Sequence, residues 1–162
     1  MTEITLLFAA DEPFAIPLAA AVRSVLENTT RPVGIFVVTT GFSQETMIAL
    51  DQSWCHPMLM HWTAVPFQDA DLLGLPIGWA PLLANARLQP AKYLPEGCRR
   101  AIYLDSDVIV DHDISELWDT NLRSRTLAGV RDPYVHRLGG KFSRPQFNAG
   151  VLVFDMELWR HA

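Results

Sequence analysis

The chain has 162 residues, 49% of them hydrophobic, a formal net charge of −5 and a pI near 5.4. That length carries one domain with a sizeable core, and an acidic balance without a basic stripe argues against nucleic acid as a partner. No run approaches the roughly 18 apolar residues of a membrane span, and the N-terminal apolar stretch breaks at Asp11-Glu12-Pro13 without a basic lead, so it is no signal peptide. Cys55 and Cys98 have neither metal-site nor C-x-x-C spacing and read as reduced thiols of a cytoplasmic protein.

In chain order, Ile4 to Ala10 reads as a first buried strand closed by a turn at Asp11-Glu12-Pro13. Leu18, Val22, Val25 and Leu26 recur at helical spacing, which predicts a helix from about Phe14 to Glu27. Val33 to Thr39 is a β-branched strand. Ser43 is placed to cap a helix whose apolar stripe is Met47, Leu50 and Trp54. Met58 to Val65 completes a β-α-β-α-β alternation, the pattern of a Rossmann-like, mostly parallel α/β sheet flanked by helices. In such sheets ligands sit beyond the carboxyl ends of the strands, where Asp11 and Asp105-Ser106-Asp107 fall.

Pro66 to Pro81 reads as a surface loop, and Leu82 to Leu88 as a helical segment carrying Arg87. Ile114 to Trp118 reads as a helical turn, Leu127 to Val130 as a short strand ending in Arg131-Asp132, and Val135 to Gln146 as a mobile loop. Phe147-Asn148-Ala149-Gly150 then leads into a strand over Val151 to Phe154, and Met156 to Arg160 begins a helix. There the chain stops without a cap or polar tail, so residues 1–162 read as a single domain incomplete at its C-terminus.

The central stretch is Arg100 to Val110, where an apolar run meets Asp105 and Asp107 and a second apolar run follows at once; runs so rich in Ile, Val, Leu and Tyr read as buried strand, which places the pair between two strands. Extended backbone would send both carboxylates to one side and Ser106 to the other. Two like charges so close are costly to bury without a cation, and hard oxygen donors suit Mg²⁺ or Mn²⁺. Such an ion would also let a diphosphate sit beside the carboxylates. The five histidines share no helical face and carry no metal-ligand reading.

Five segments taken together, Phe8-Ala9-Ala10-Asp11, Asn85-Ala86-Arg87-Leu88, Tyr103-Leu104-Asp105-Ser106-Asp107, Val130-Arg131-Asp132 and Phe147-Asn148-Ala149-Gly150-Val151-Leu152, resemble glycosyltransferase family 8. That group contains bacterial lipopolysaccharide galactosyl- and glucosyltransferases and the glycogenins. The resemblance implies a GT-A fold, a UDP-sugar donor, a Mn²⁺ (or Mg²⁺) cofactor, a saccharide acceptor and retention of anomeric configuration. Carried residue by residue, it makes Asp105 and Asp107 the metal pair, with Ser106 between them in the donor site. Asp11, beside Ala10, is similar to the acid that hydrogen-bonds uracil, and Phe14 stands where a tyrosine usually stacks on the base. Pro13 replaces a more polar residue. Arg87 resembles the arginine near the donor sugar and diphosphate. Asp132 and Asn148 resemble catalytic-site residues that hold the sugar hydroxyls, with Ala149 in close contact beside them.

The resemblance also implies segments that do not occur before Ala162. One is of D-Q-D type and the other of H-x-x-G-x-x-K-P-W type, whose histidine is the third protein ligand of the metal. Residues 1–162 alone are therefore expected to lack the C-terminal lid, to bind donor weakly, to transfer little sugar and to self-associate through the uncovered strand. Two rivals are a phosphatase of the haloacid dehalogenase type with Asp105 as nucleophile, and a non-catalytic UDP-sugar-binding module.

Overall fold

The computed structural model describes residues 3–68, 82–132 and 147–162. Six strands form one sheet: β1 (Ile4–Ala9), β2 (Val33–Thr39), β3 (Leu59–Pro66), β4 (Arg100–Leu104), β5 (Leu127–Arg131) and β6 (Phe147–Asp155). Their order is β3-β2-β1-β4-β6-β5. The first four pair in parallel, and β6 runs antiparallel to both β4 and β5. The carboxyl ends of β1, β4 and β5 therefore meet the start of β6 at one edge of the sheet.

Alternation along the central strands divides the core into two layers. Leu6 and Phe8 of β1 and Ile102 and Leu104 of β4 face Leu18, Val22, Val25 and Leu26 of helix α1 (Ala15–Glu27). Helix α2 (Gln44–Ser53) adds Leu50 to this layer, and its C-cap residue Trp54 is fully buried there. Leu7, Ala101 and Tyr103 face the other layer, with Phe154, Tyr93 of the short helix α3 (Pro90–Tyr93) and Met156 of α5 (Met156–Arg160). Burying each such side chain contributes about 1.5–3 kcal/mol, which explains why continuous apolar runs become the central strands.

The strands at the middle of the chain lie where the sequence places them, within a residue or two. The turn after β1 is one turn of 3-10 helix (Glu12–Phe14), so α1 begins at Ala15 rather than Phe14. Ser43 caps α2, its hydroxyl accepting from the Thr46 N–H at 3.1 Å. Of the expected stripe only Leu50 is buried within the helix itself. Helix α4 (Ile114–Trp118) is capped by Asp113. The residues 147–150, expected to lead into a strand, are already part of β6. The expected surface loop over 66–81 falls outside the described residues beyond Gln68, and the mobile loop over 135–146 lies outside them entirely.

One expectation is overturned. The apolar run after Asp107 is not a strand, and the aspartates do not sit on extended backbone. Strand β4 ends at Leu104 and the chain turns through Ser106 and Asp107, with the Val108 N–H reaching the Asp105 carbonyl at 3.4 Å. The Val110 N–H donates to the Ser24 hydroxyl at 2.9 Å, and its carbonyl accepts from the Asn28 amide at 2.9 Å. Helix α1 thus satisfies the backbone groups that a strand partner would have taken.

Candidate donor site

Beyond the carboxyl ends of β1 and β4 lies a cavity of about 520 Å³. It is lined by seven of the residues singled out in the sequence, Ala10, Asp11, Phe14, Arg87, Asp105, Ser106 and Asp107, together with Tyr103. Four pieces of chain place them. Strand β1 delivers Asp11, the 3-10 turn presents Phe14, the 3-10 segment Leu82–Leu88 carries Arg87, and the turn after β4 supplies the two aspartates. Ser106 lies with the aspartates in the cavity lining, not on the opposite side; its buried hydroxyl donates to the Ala9 carbonyl at 3.2 Å and ties the β4 turn to the end of β1.

Two groups at the cavity stand out. Phe14 is 48% exposed at the cavity, a large apolar ring with one side uncovered. The Asp11 Oδ1 atom is buried yet has no hydrogen-bond partner among the described residues. The turn that holds both is clasped from outside. The Glu12 carboxylate accepts from the Ser43 N–H and hydroxyl, each at 2.9 Å, and from the Thr46 hydroxyl at 2.5 Å. The Thr46 bond is the largest cause, followed by the Ser43 bonds, holding the Glu12 carboxyl below its ordinary value.

Asp105 is held from several directions. Its Oδ1 accepts from the Tyr103 hydroxyl at 2.8 Å and from Arg87 Nη1 at 3.1 Å, and its backbone N–H donates to the Gly150 carbonyl at 2.8 Å. Arg87 also donates to the Ala149 carbonyl at 3.3 Å, and its guanidinium lies 5.8 Å above the Tyr103 ring. Burial, and then the negative charge of Asp105, pushes the Tyr103 hydroxyl far above its usual range, so it stays a protonated donor. The positive charge that the two aspartates need is thus partly built in: Arg87 pairs with the site carboxylate rather than with a surface one. Gly150 makes room for this arrangement, since a Cβ there would fall 2.6 Å from Asp105 Oδ2 and 3.0 Å from Asn148 Oδ1.

The remaining expected residues divide. Asn148 and Ala149 lie at the start of β6 beside Asp105. The Asn148 side-chain oxygen accepts from the Gly150 N–H at 2.7 Å, a local turn, and Ala149 contributes through its carbonyl to Arg87. Asp132 follows the last residue of β5 at the same edge of the sheet but does not line the described cavity. Tyr103 and Gly150 carried no role in the sequence reading. The signal for Tyr103 is its i, i+2 spacing from Asp105, and for Gly150 its place directly after Asn148-Ala149.

Asp105 and Asp107 offer hard oxygen donors, and among the described residues no third His, Cys, Asp or Glu joins them in a metal cluster. Two carboxylates of this kind fit an open hard-cation site such as one for Mn²⁺ or Mg²⁺, not a closed zinc site.

The model for glycosyl transferase family 8 matches residues 5–162. The chain belongs to this family. It is similar to a protein named as a glycosyltransferase in Haemophilus influenzae, 23% identical over 97% of this chain and 50% of the relative. It is also similar to galacturonosyltransferase-like protein 7 of Arabidopsis thaliana, 32% identical over 87% of this chain and 44% of that one. Among solved structures, the galactosyltransferase LgtC in complex with donor and acceptor sugar analogues matches with a TM-score of 0.81 and 26% identity, over 98% of this chain and 60% of LgtC. The chain spans about half the length of these curated relatives, and its sheet has the GT-A fold.

Proposed function

We propose that this chain is the donor-binding part of a metal-dependent, retaining hexosyltransferase that takes a hexose from UDP-glucose or UDP-galactose to a saccharide acceptor. Family membership supports glycosyl transfer. The observation that carries the donor is the cavity itself, where an uncovered aromatic, an unsatisfied carboxylate oxygen, an arginine and two aspartates converge. Phe14 offers a face on which a base can stack. Asp11 Oδ1 is an acceptor that the ring N–H of uracil can satisfy. Arg87, already at the cavity wall, lies where it can meet a diphosphate oxygen.

When bound at Asp105 and Asp107, a divalent cation supplies the positive charge that stabilises a departing diphosphate. The chain's own contribution is to hold both carboxylates at one edge, to keep Arg87 beside them and to present Asn148 and Ala149 next to the sugar. Asp132, from the same edge, is proposed to approach the sugar hydroxyls with Asn148. The phosphatase alternative requires Asp105 as a free nucleophile, whereas its Oδ1 already takes two hydrogen bonds and the chain's family is a different one.

Calorimetric titration with UDP, ADP and GDP, each with Mn²⁺ and with chelator, tests the reading. UDP should bind more tightly than the other two, and Mn²⁺ should strengthen it. Equal affinities for all three nucleotides would refute the base assignment, and indifference to chelator would refute the metal assignment.

A further inference from the structure

We propose that Tyr103 is a positioning residue for Asp105, fixing the carboxylate in the orientation in which it meets a cation; the proposal rests on the donor-site reading above. Side chains alternate along β4, so Tyr103 falls in the same layer as Ala101, and the continuing chain brings Asp105 back over it. The Tyr103 ring is 1% exposed and packed in the core layer with Leu7 and Leu152, so it cannot swing away. Its hydroxyl donates to Asp105 Oδ1 at 2.8 Å, and no other partner for that hydroxyl occurs among the described residues.

The contact orders the site in two ways. The terminal torsion of an aspartate is broad and two-fold, so an unrestrained carboxylate samples many orientations. The Tyr103 hydroxyl and Arg87 Nη1 converge on one oxygen, and among the described residues no hydrogen bond reaches the other. Oδ2 is left facing the small space over Gly150. The same ring supports the Arg87 guanidinium from below at 5.8 Å. One buried aromatic therefore sets the carboxylate directly and its arginine partner through the ring face. A phenylalanine would fill the core equally well, and the hydroxyl's hydrogen bond adds little net stability, so orientation is what the hydroxyl adds.

Tyr103→Phe removes the hydroxyl and keeps the ring. UDP affinity is measured by calorimetry with Mn²⁺ and with chelator on wild type and variant, alongside thermal melting. The expected result is a loss of about 10-fold in the affinity that Mn²⁺ adds, the scale of a removed outer-shell partner, with chelated UDP affinity and melting temperature near wild type. An unchanged Mn²⁺ contribution overturns the positioning role. A parallel fall in chelated affinity and melting temperature overturns it too, by showing a merely structural role. If wild type itself gains nothing from Mn²⁺, the donor-site reading falls and this proposal falls with it.

Discussion

The two ends of β4 open onto cavities of similar size, about 520 Å³ at its carboxyl end and about 460 Å³ at its start. The second is the more conspicuously charged, lined by Arg99, Arg100, Arg123, Asp119 and Asp155. Most of that charge is engaged in holding the fold. Asp119 pairs with Arg31 at 3.0 Å, Arg100 donates to the Thr120 carbonyl and lies over Trp118, and Asp155 caps α5 through the Leu158 N–H at 2.9 Å. Arg100 Nε is buried without a partner among the described residues, on a guanidinium otherwise anchored. At the carboxyl end the polar groups come from three separate segments, Asp11 Oδ1 has no partner among the described residues, and the Phe14 ring is half exposed. Volume is alike at the two ends; what separates them is that charges at the start of β4 are paired within the fold, while the carboxyl end gathers two aspartates, an arginine and a half-exposed aromatic ring.

Substitutions at the two ends sharpen this contrast. The largest effect is expected for Asp105→Asn, which keeps shape and removes a charge. It should weaken Mn²⁺-dependent UDP binding by about 10- to 100-fold, measured by calorimetry, since it alters both a candidate ligand and the Arg87 pair. Phe14→Ala should cost about 1–3 kcal/mol of UDP affinity if a base stacks there, with little change in melting, because the ring is half exposed in the free chain. Gly150→Ala should displace the Asp105 carboxylate and weaken Mn²⁺-dependent binding by up to about 10-fold. Gly97→Ala, where an added Cβ meets nothing within 4 Å, should change stability by no more than about 0.5 kcal/mol and binding not at all.

At the opposite end, Arg31→Ala breaks a pair whose aspartate is 68% exposed. It should lower stability by no more than about 1 kcal/mol in thermal melts and leave nucleotide affinity untouched. The smallest effect concerns pH. The Glu12 carboxyl is lowered on folding, so its contribution is present above the ordinary glutamate value and is lost as pH falls through the lowered folded value. Glu12→Gln should therefore melt with a flatter dependence on pH across that acidic window, measured by calorimetric scans, and match wild type's slope near neutrality.

The central sheet was legible because Ile4–Ala9, Val33–Thr39 and Arg100–Leu104 are apolar runs that only a buried strand accommodates. The site was legible in its parts, since Asp11, Arg87 and the aspartate pair sit in recognisable segments. Their mutual arrangement was not. Nothing local announces that Arg87 reaches Asp105 and the Ala149 carbonyl, 62 residues further along the chain. The run over residues 108–110 misled for the same reason: its β-branched composition favours a strand, but Ser24 of distant α1 and its C-cap residue Asn28 claim its backbone. Tyr103 was read as core, which it is, because burial and a hydroxyl-to-carboxylate bond look identical in one letter of sequence.

The most direct test is to map the nucleotide by amide NMR on the labelled chain, titrating UDP with Mg²⁺ and then substituting paramagnetic Mn²⁺. The account predicts shifts at residues 10–14 and 87, and Mn²⁺ broadening centred on 105–107 and 148–150. Shifts centred on residues 99–100 and 119–124, at the other end of β4, would contradict it.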